Sequence, residues 1–289
     1  MKRNMMLGAL IGLSSLSLSS AVFATATQSM QDKTVSVTQV NSALAKAVAS
    51  DFRATENKRR DQYRHPAETL AFFDVKPEQT VIELWPGGGW YAEILAPYLA
   101  EKGQYVAANF ETKPAEDTRQ TAYYKSAGVK FEKWVSDNKA SVGNVQFVTL
   151  DPPAKFSLGK DNSADHVLTF RNLHNWAMKG ELEGVFKAAH AVLKVGGSLG
   201  IVEHRANIGM PAESGYMAQN QMVELANKYG FELTASSEVN ANPKDSKNYE
   251  KGVWTLPPSL AMGDQDKQKY LEIGESDRMT LRFTKTATK

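Results

Sequence analysis

Thr80-Val81-Ile82-Glu83-Leu84-Trp85-Pro86-Gly87-Gly88-Gly89-Trp90 is an apolar run that closes on an acid, continues into a glycine turn, and is followed by Ile94, Leu95, Tyr98 and Leu99 at helical spacing. Strand, glycine turn and helix in this order form the opening unit of an open parallel α/β sheet. Glycine lets the backbone turn sharply and approach a ligand closely, and the first turn of the helix presents unpaired N–H groups. On the residues alone, the segment is either a seat for the anionic end of a nucleotide cofactor or a tight structural turn.

Outward from this unit, short β-rich runs alternate with helical runs, the pattern of a sheet covered on both faces. Strands are predicted over Thr80–Leu84, Gln104–Asn109, Val145–Leu150, His166–Phe170, Ser198–Glu203, Phe231–Ser236 and Met279–Thr284. Helices are predicted near Trp90–Glu101, Pro114–Ala127, Glu181–Leu193 and Pro211–Tyr229, the last stopped by Gly230. Upstream, Ala43, Leu44, Ala47, Val48 and Phe52 keep helical spacing, and a break at His65-Pro66 separates them from a helix holding Thr69, Leu70, Phe72 and Phe73. The segment 238–278, rich in Asn, Lys, Asp and Pro, has no clear period and reads as an insertion or lid between the last two strands.

The chain has 289 residues, 42% of them hydrophobic, enough for one α/β domain with a large core. Its 34 basic and 32 acidic residues nearly cancel, so no broad positive field points to nucleic acid. The absence of cysteine excludes disulfides, thiolate metal sites and a thiol nucleophile. Lys2 and Arg3, the apolar stretch from Met5 to Val22, and small-residue sites at Val22-Phe23-Ala24 or Ala24-Thr25-Ala26 read as a secretory signal over residues 1–26. Cleavage would leave a polar lead-in over 27–40, a single domain over 41–289 of zero net charge in the periplasm, and no stable membrane anchor. Oligomeric state is not legible.

Leu193-Lys194-Val195-Gly196-Gly197-Ser198-Leu199-Gly200-Ile201-Val202-Glu203-His204 joins a helix end to a β-run through a double glycine. Taken with the first glycine turn and with Ala164–Phe170 between them, it resembles the motif set of class I S-adenosylmethionine-dependent methyltransferases. The resemblance spans roughly residues 60–285. Tyr63-Arg64-His65-Pro66, the Pro-Gly-Gly-Gly-Trp-Tyr loop, Phe170-Arg171-Asn172-Leu173-His174-Asn175-Trp176 and Ser276-Asp277-Arg278 further resemble a group of exported bacterial methyltransferases whose substrate is unassigned. The resemblance implies a Rossmann-like seven-stranded sheet with helices on both faces, strand seven antiparallel, N-terminal helices in front, and S-adenosylmethionine as cofactor. It places Glu83, Gly87, Gly88 and Gly89 around the amino-acid end of that cofactor and Asp151 near its adenine.

Two positions depart from the family. Trp85 stands where most members have the first glycine, so the loop is expected to leave the usual path there. Asn109 stands where the ribose-binding acid would be, and Glu111 is expected to substitute if the strand end is bulged. Asp151-Pro152-Pro153 reads as a turn.

Methyl transfer requires alignment of donor and acceptor, and a base only when the acceptor must lose a proton. His174, after the fourth strand, is the candidate base, with Arg171 beside it to hold an anionic acceptor. His204 ends the fifth strand on the same edge, and His65 is placed to close over the cofactor. His166 and His190 fall within regular elements and read as structural. No His-x-x-x-His or Glu-x-x-His spacing supports a metal, and no Gly-x-Ser-x-Gly elbow supports a serine nucleophile. The expected activity is methyl transfer to a small molecule. The alternative is a non-catalytic exported ligand-binding protein on the same fold; a nicotinamide-dependent oxidoreductase is disfavoured by the loop, which is not Gly-x-Gly-x-x-Gly.

Overall fold

The computed structural model describes residues 40–116 and 118–287. The signal segment 1–26 and the lead-in up to residue 39 lie outside the described residues. Four short helices open the fold: α1 (Ser42–Ala49), α2 (Thr55–Lys58), α3 (Asp61–Arg64) and α4 (Pro66–Phe72). Asn41 caps α1, its side-chain oxygen accepting from the Leu44 N–H at 2.8 Å. His65 turns the chain between α3 and α4 with φ 39°, and Pro66 supplies the fixed φ of the first helical position.

There follow β1 (Thr80–Leu84), α5 (Ala92–Leu99), β2 (Gln104–Asn109), α6 (Arg119–Asp137), α7 (Lys139–Val142), β3 (Gln146–Thr149), β4 (Ala164–Phe170), α8 (Leu173–Ala177), α9 (Leu182–Val192), β5 (Leu193–His204), α10 (Gln219–Lys228), β6 (Phe231–Ser237), α11 (Lys267–Ile273) and β7 (Arg278–Lys285). The strands form one sheet in the order β3-β2-β1-β4-β5-β7-β6. β7 runs antiparallel to both neighbours, and the other pairs are parallel. This is the expected Rossmann-like sheet with strand seven reversed. Side chains alternate across it: Ile82 and Leu84 enter one core with Val106, Val167 and Ile201, while Val81 enters the other with Tyr105, Leu168 and Val202.

Connections from β1 and β4 leave in opposite directions, so the crevice of this sheet opens at their carboxyl ends. The glycine loop, Arg171 and His174 all follow those ends, which fixes where chemistry can occur.

Several element boundaries differ from expectation for identifiable reasons. The α5 helix is shorter than the predicted span, because residues 86–91 are used in the turn. The α6 helix starts at Arg119, where Thr118 and Thr121 cap each other reciprocally, and continues past Ala127 to Asp137, burying Phe131 and Val135. Gly128 allows that continuation, since a Cβ there would stand 2.9 Å from the Thr112 methyl. The helix predicted over Pro211–Tyr229 is split: a 3₁₀ turn at Ala212–Ser214 ends on Gly215 (φ 77°), and α10 begins at Gln219. β5 starts directly after α9, so the double glycine lies within the strand at a register shift opposite Ala164 and His166.

Gly200, at the centre of β5, is a point of close packing. A Cβ there would lie 2.6 Å from Leu168 Cδ2 and 2.9 Å from Phe73 Cδ1. Gly200→Ala is expected to destabilise the fold by about 1–3 kcal/mol through overpacking. Urea unfolding monitored by circular dichroism measures it, and an unchanged midpoint would refute the packing argument.

Candidate functional site

At the carboxyl edge of the sheet, Arg171 takes the left-handed φ of 62° directly after β4 and its N–H bonds to the Val202 carbonyl at 2.7 Å. Asn172 ties this turn to β1 by donating to the Leu84 carbonyl at 2.9 Å. The chain then enters α8, which carries His174. At the end of β5, the fully buried Glu203 carboxylate accepts from the Leu173 N–H at 2.6 Å and from its neighbour His204 N–H at 2.8 Å. The same carboxylate faces His174 Nδ1 at 3.1 Å. A carboxylate in that position accepts from Nδ1, so Nδ1 carries a proton, and Nε2 is left without a hydrogen-bond partner among the described residues. Glu203 and His174 therefore form an oriented dyad whose Nε2 is unpartnered.

His204 packs beside His174, ring centroids 5.3 Å apart, and its Nδ1 meets the Ser276 hydroxyl at 2.5 Å. Burial, then the neighbouring His174, Arg171, Arg278 and Arg64, push the His204 pKa well below the usual histidine value, so it is neutral at pH 7. Trp254 caps the pair edge-on at 5.9 Å from His174. The donor atoms of His174, Glu203 and His204 fall within 4.8 Å of one another. Each oxygen of Glu203 already accepts from a backbone N–H, and the guanidinium groups of Arg171, Arg278 and Arg64 stand close enough to act on His204, a field that opposes a cation at this cluster.

That cluster is centred on Glu275, just before β7. Arg60 Nε reaches its carboxylate at 2.7 Å, Arg64 Nε at 3.0 Å and Arg278 Nη1 at 3.1 Å. Burial alone would raise the Glu275 pKa, but the fields of Arg64, Arg278, Arg171 and Arg60 outweigh it and hold it at about 2. Arg64 is pushed below its own usual value, by burial first and then by the neighbouring arginines against the pull of Glu275. The two directions agree once charge is counted: several cations share one carboxylate, which gains more than each of them does.

The segment between β6 and β7 builds this wall and is pinned to the fold. Asn240 donates to the Thr69 and Thr280 hydroxyls, both at 2.9 Å, and Asn242 donates to the Ile273 and Glu275 carbonyls. Asp277 pairs with Arg205 and Lys247, each at 2.8 Å.

The residues expected around a cofactor divide between separate environments. Trp85 turns the backbone with φ 47°, and its N–H extends the sheet ladder to the Ala108 carbonyl at 2.9 Å. The backbone thus adopts the left-handed conformation that glycine takes freely, and the departure lies in the side chain. The indole donates to the Leu150 carbonyl at 2.8 Å and packs against Phe110, Tyr124 and Trp176. Beyond it is a cavity of about 360 Å³ walled by Trp85, Phe110 and Tyr124 and rimmed by Glu111 and Asp151. Gly87 and Gly88 border a different groove, beside Lys130 and Phe131 of α6, and Gly88 has open space where a side chain would project. β2 keeps unbroken register to Asn109, so no bulge carries Glu111 into the ribose-acid position; Glu111 pairs with Lys155 instead. Asn109 donates to the Gly128 carbonyl at 3.2 Å, while its Oδ1 is buried without a partner. Asp151, Pro152 and Pro153 form a turn, as expected. His65 lies apart from the glycine loop, lining a cavity of about 300 Å³ with Tyr63, Glu275 and Arg278. His166 bridges Ser198 and Gln79, at 2.6 and 2.9 Å, and is structural.

Glu83 is buried against β2, accepting from the Tyr105 hydroxyl at 2.6 Å. Burial raises its pKa to about 7, against the opposing pull of Tyr105 and Arg171. A carboxyl whose folded pKa lies above its unfolded value binds its proton more tightly in the native state, so stability is present below about pH 4.5 and lost as pH rises towards 7. Glu83→Gln is expected to remove this loss, which amounts to about 3 kcal/mol at most. Wild-type and variant unfolding free energies compared at pH 5 and pH 8 test it; parallel pH dependence would refute it.

Glu203, Arg64, Glu275, Arg278 and Trp254 join the site without having been singled out as site residues. The Tyr63-Arg64-His65-Pro66 and Ser276-Asp277-Arg278 stretches carried the signal, but only the fold shows that they meet.

No family model and no curated protein matches the chain. Solved structures do. The one named for a sarcosine dimethylglycine methyltransferase from Galdieria sulphuraria is 14% identical, with a TM-score of 0.51 over 93% of this chain and 98% of that one. The [4+2]-cyclase SpnF is 18% identical, with a TM-score of 0.50 over 85% and 92%. A SAM-dependent methyltransferase from Aquifex aeolicus is 18% identical over 64% of this chain and 92% of that one, with a TM-score of 0.47. The chain has the fold that the first two of these share, and the fold by itself does not choose between a transferase and a cyclase.

Proposed function

We propose that this chain, built on the class I methyltransferase fold, transfers a methyl group from S-adenosylmethionine to a small-molecule acceptor, with His174 as general base. The observation that carries the reading is the placement of the glycine turn after β1 and the Glu203–His174 dyad after β4 and β5 on one sheet edge, flanking the crevice. The nucleoside half of the cofactor fits the residues present. Trp85, Phe110 and Tyr124 offer faces for a planar base, and Asp151 and Glu111 offer acceptors at the rim. The bound cofactor supplies an electrophilic methyl on a sulfonium. His174 Nε2 takes the acceptor's proton, Glu203 fixes the ring and stabilises the imidazolium that results, and Trp254 shields the ring from water.

A second reading, a ligand-binding protein without catalysis, is favoured by one feature: the Trp85 indole walls the aromatic cavity, while Gly87 and Gly88 border a different groove. Calorimetric titration with S-adenosylhomocysteine separates the two. Binding is expected, with Gly87→Val weakening it at least tenfold, because Gly87 sits at φ 58° where a β-branched residue is strained. No binding at millimolar ligand would leave the second reading standing. We further propose that the protein works after export to the periplasm; detection of a form truncated near Thr25 or Thr27 in a periplasmic fraction tests this, and an intact amino terminus in the cytoplasm would overturn it.

A further inference from the structure

Among the clustered arginines, Arg171 alone holds its charge without a partner. Arg60, Arg64 and Arg278 all reach Glu275, whereas the Arg171 guanidinium makes no hydrogen bond or ion pair among the described residues. It is half-buried, and burial draws its pKa down to about 10, which leaves it protonated at neutral pH. Its backbone is held in a conformation that a residue with a side chain rarely adopts, φ 62°. A further donor acting on it lacks an acceptor: Arg60 Nη2 is buried and unpartnered. Against the four cations stand the single Glu275 and a Glu83 carboxyl that burial keeps partly protonated. The surroundings of Arg171 thus hold an excess of positive charge and a shortage of acceptor atoms. Partly desolvating a guanidinium without a counter-ion is unfavourable, and an incoming anion would offset that cost.

The geometry points to an anion site at Arg171 that takes a carboxylate or phosphate group of the bound ligand through a two-pronged guanidinium contact. This rests on the crevice described above but not on methyl transfer itself. A carboxylate could come from the acceptor or from the amino-acid end of the cofactor, and the experiment must tell them apart.

Wild-type protein, Arg171→Gln and Arg171→Lys are titrated calorimetrically in low-chloride buffer with malonate, inorganic phosphate, S-adenosylhomocysteine and 5′-methylthioadenosine, which lacks the amino-acid end. Circular dichroism verifies that each variant is folded. If the anion belongs to the acceptor, malonate or phosphate binds the wild type, Arg171→Gln weakens it at least tenfold, and Arg171→Lys retains part of it, because the charge survives but the fork is lost. S-adenosylhomocysteine affinity then stays unchanged. If the anion belongs to the cofactor, Arg171→Gln weakens S-adenosylhomocysteine at least tenfold and leaves 5′-methylthioadenosine unaffected. Either result supports the anion site. A folded Arg171→Gln that binds all four ligands as the wild type does overturns it, as does a wild type that binds none of them. Binding of malonate or phosphate through Arg171 without binding of S-adenosylhomocysteine would sustain the anion site while removing the methyltransferase reading.

Discussion

His174→Gln is expected to lower the rate of S-adenosylhomocysteine release about 10²–10⁴-fold, the usual contribution of a positioned general base. The rate is measured with S-adenosylmethionine and a panel of hydroxyl, amine and thiol acceptors that carry a carboxylate. Cofactor affinity should change little, because the imidazole packs against His204 and Trp254 at the β4–β5 end of the edge, away from the aromatic cavity bordered by Asp151. Glu203→Gln should give a smaller loss in kcat together with an altered pH profile. The amide oxygen can still accept from Nδ1, but the neutral group no longer stabilises the imidazolium, and its NH2 faces the Leu173 N–H where a carboxylate oxygen accepted. A purely structural Glu203 would lower the unfolding midpoint without moving the pH profile. A wild-type rate in folded His174→Gln would remove the base from the mechanism.

Glu275→Gln is expected to have the largest effect on stability, about 3–5 kcal/mol at pH 7. The carboxylate is 4% exposed and joins Arg60, Arg64 and Arg278, so removing its charge leaves three guanidinium groups repelling one another in a buried space. The pH dependence gives an independent check. With the folded pKa near 2 and an ordinary value of 4.5, the contribution is fully present above about pH 4.5 and disappears as pH falls towards 2. Wild type and Glu275→Gln should therefore differ at pH 7 and converge in acid. Urea unfolding at both ends of the range measures this, and a constant difference would show that the loss arises from packing instead. The limb is opposite in sign to that of Glu83, which weakens the fold as pH rises, so the most stable pH should lie between the two windows.

The sheet was legible because its signals are local. Each strand is a short β-rich run and the first glycine segment marks the turn after β1, so all seven strands overlap the runs where the alternation puts them, although β5 begins earlier, at Leu193, and takes in the double glycine. Helix ends were less legible because tertiary contacts set them: Gly128 extends a helix by permitting close approach to Thr112, and Gly215 interrupts one by fitting against Val253. Within the site, His174, His204 and Arg171 could be placed on one edge because they directly follow predicted strands. The role of Glu203 was hidden because nothing in a sequence says which way the last residue of a strand points. Glu275 was hidden in a segment without period, whose structure comes from side-chain anchors such as Asn240 and Asn242 and not from backbone propensity. Trp85 was identified as a departure, but its indole went to Leu150, a contact across 65 positions that no local pattern announces.

The carboxylate of Glu275 also has a kinetic meaning. Its contacts with Arg60 and Arg64 close loops of 215 and 211 residues, and Arg278 adds a further closure onto the Tyr63 carbonyl. Contacts so distant in sequence are entropically late to form, and they cannot exist on a nascent chain whose last turn of sequence is still within the ribosome. The crevice is therefore finished from outside in: the sheet can collapse around its local strand–helix units first, and only the arrival of the final strand draws the amino-terminal helices against it and completes the charge balance. A chain lacking Glu275 onward would keep the β1 to β5 segments but not the carboxylate that pairs with Arg60 and Arg64, so the charge balance of this wall depends on the last fifteen residues of the chain.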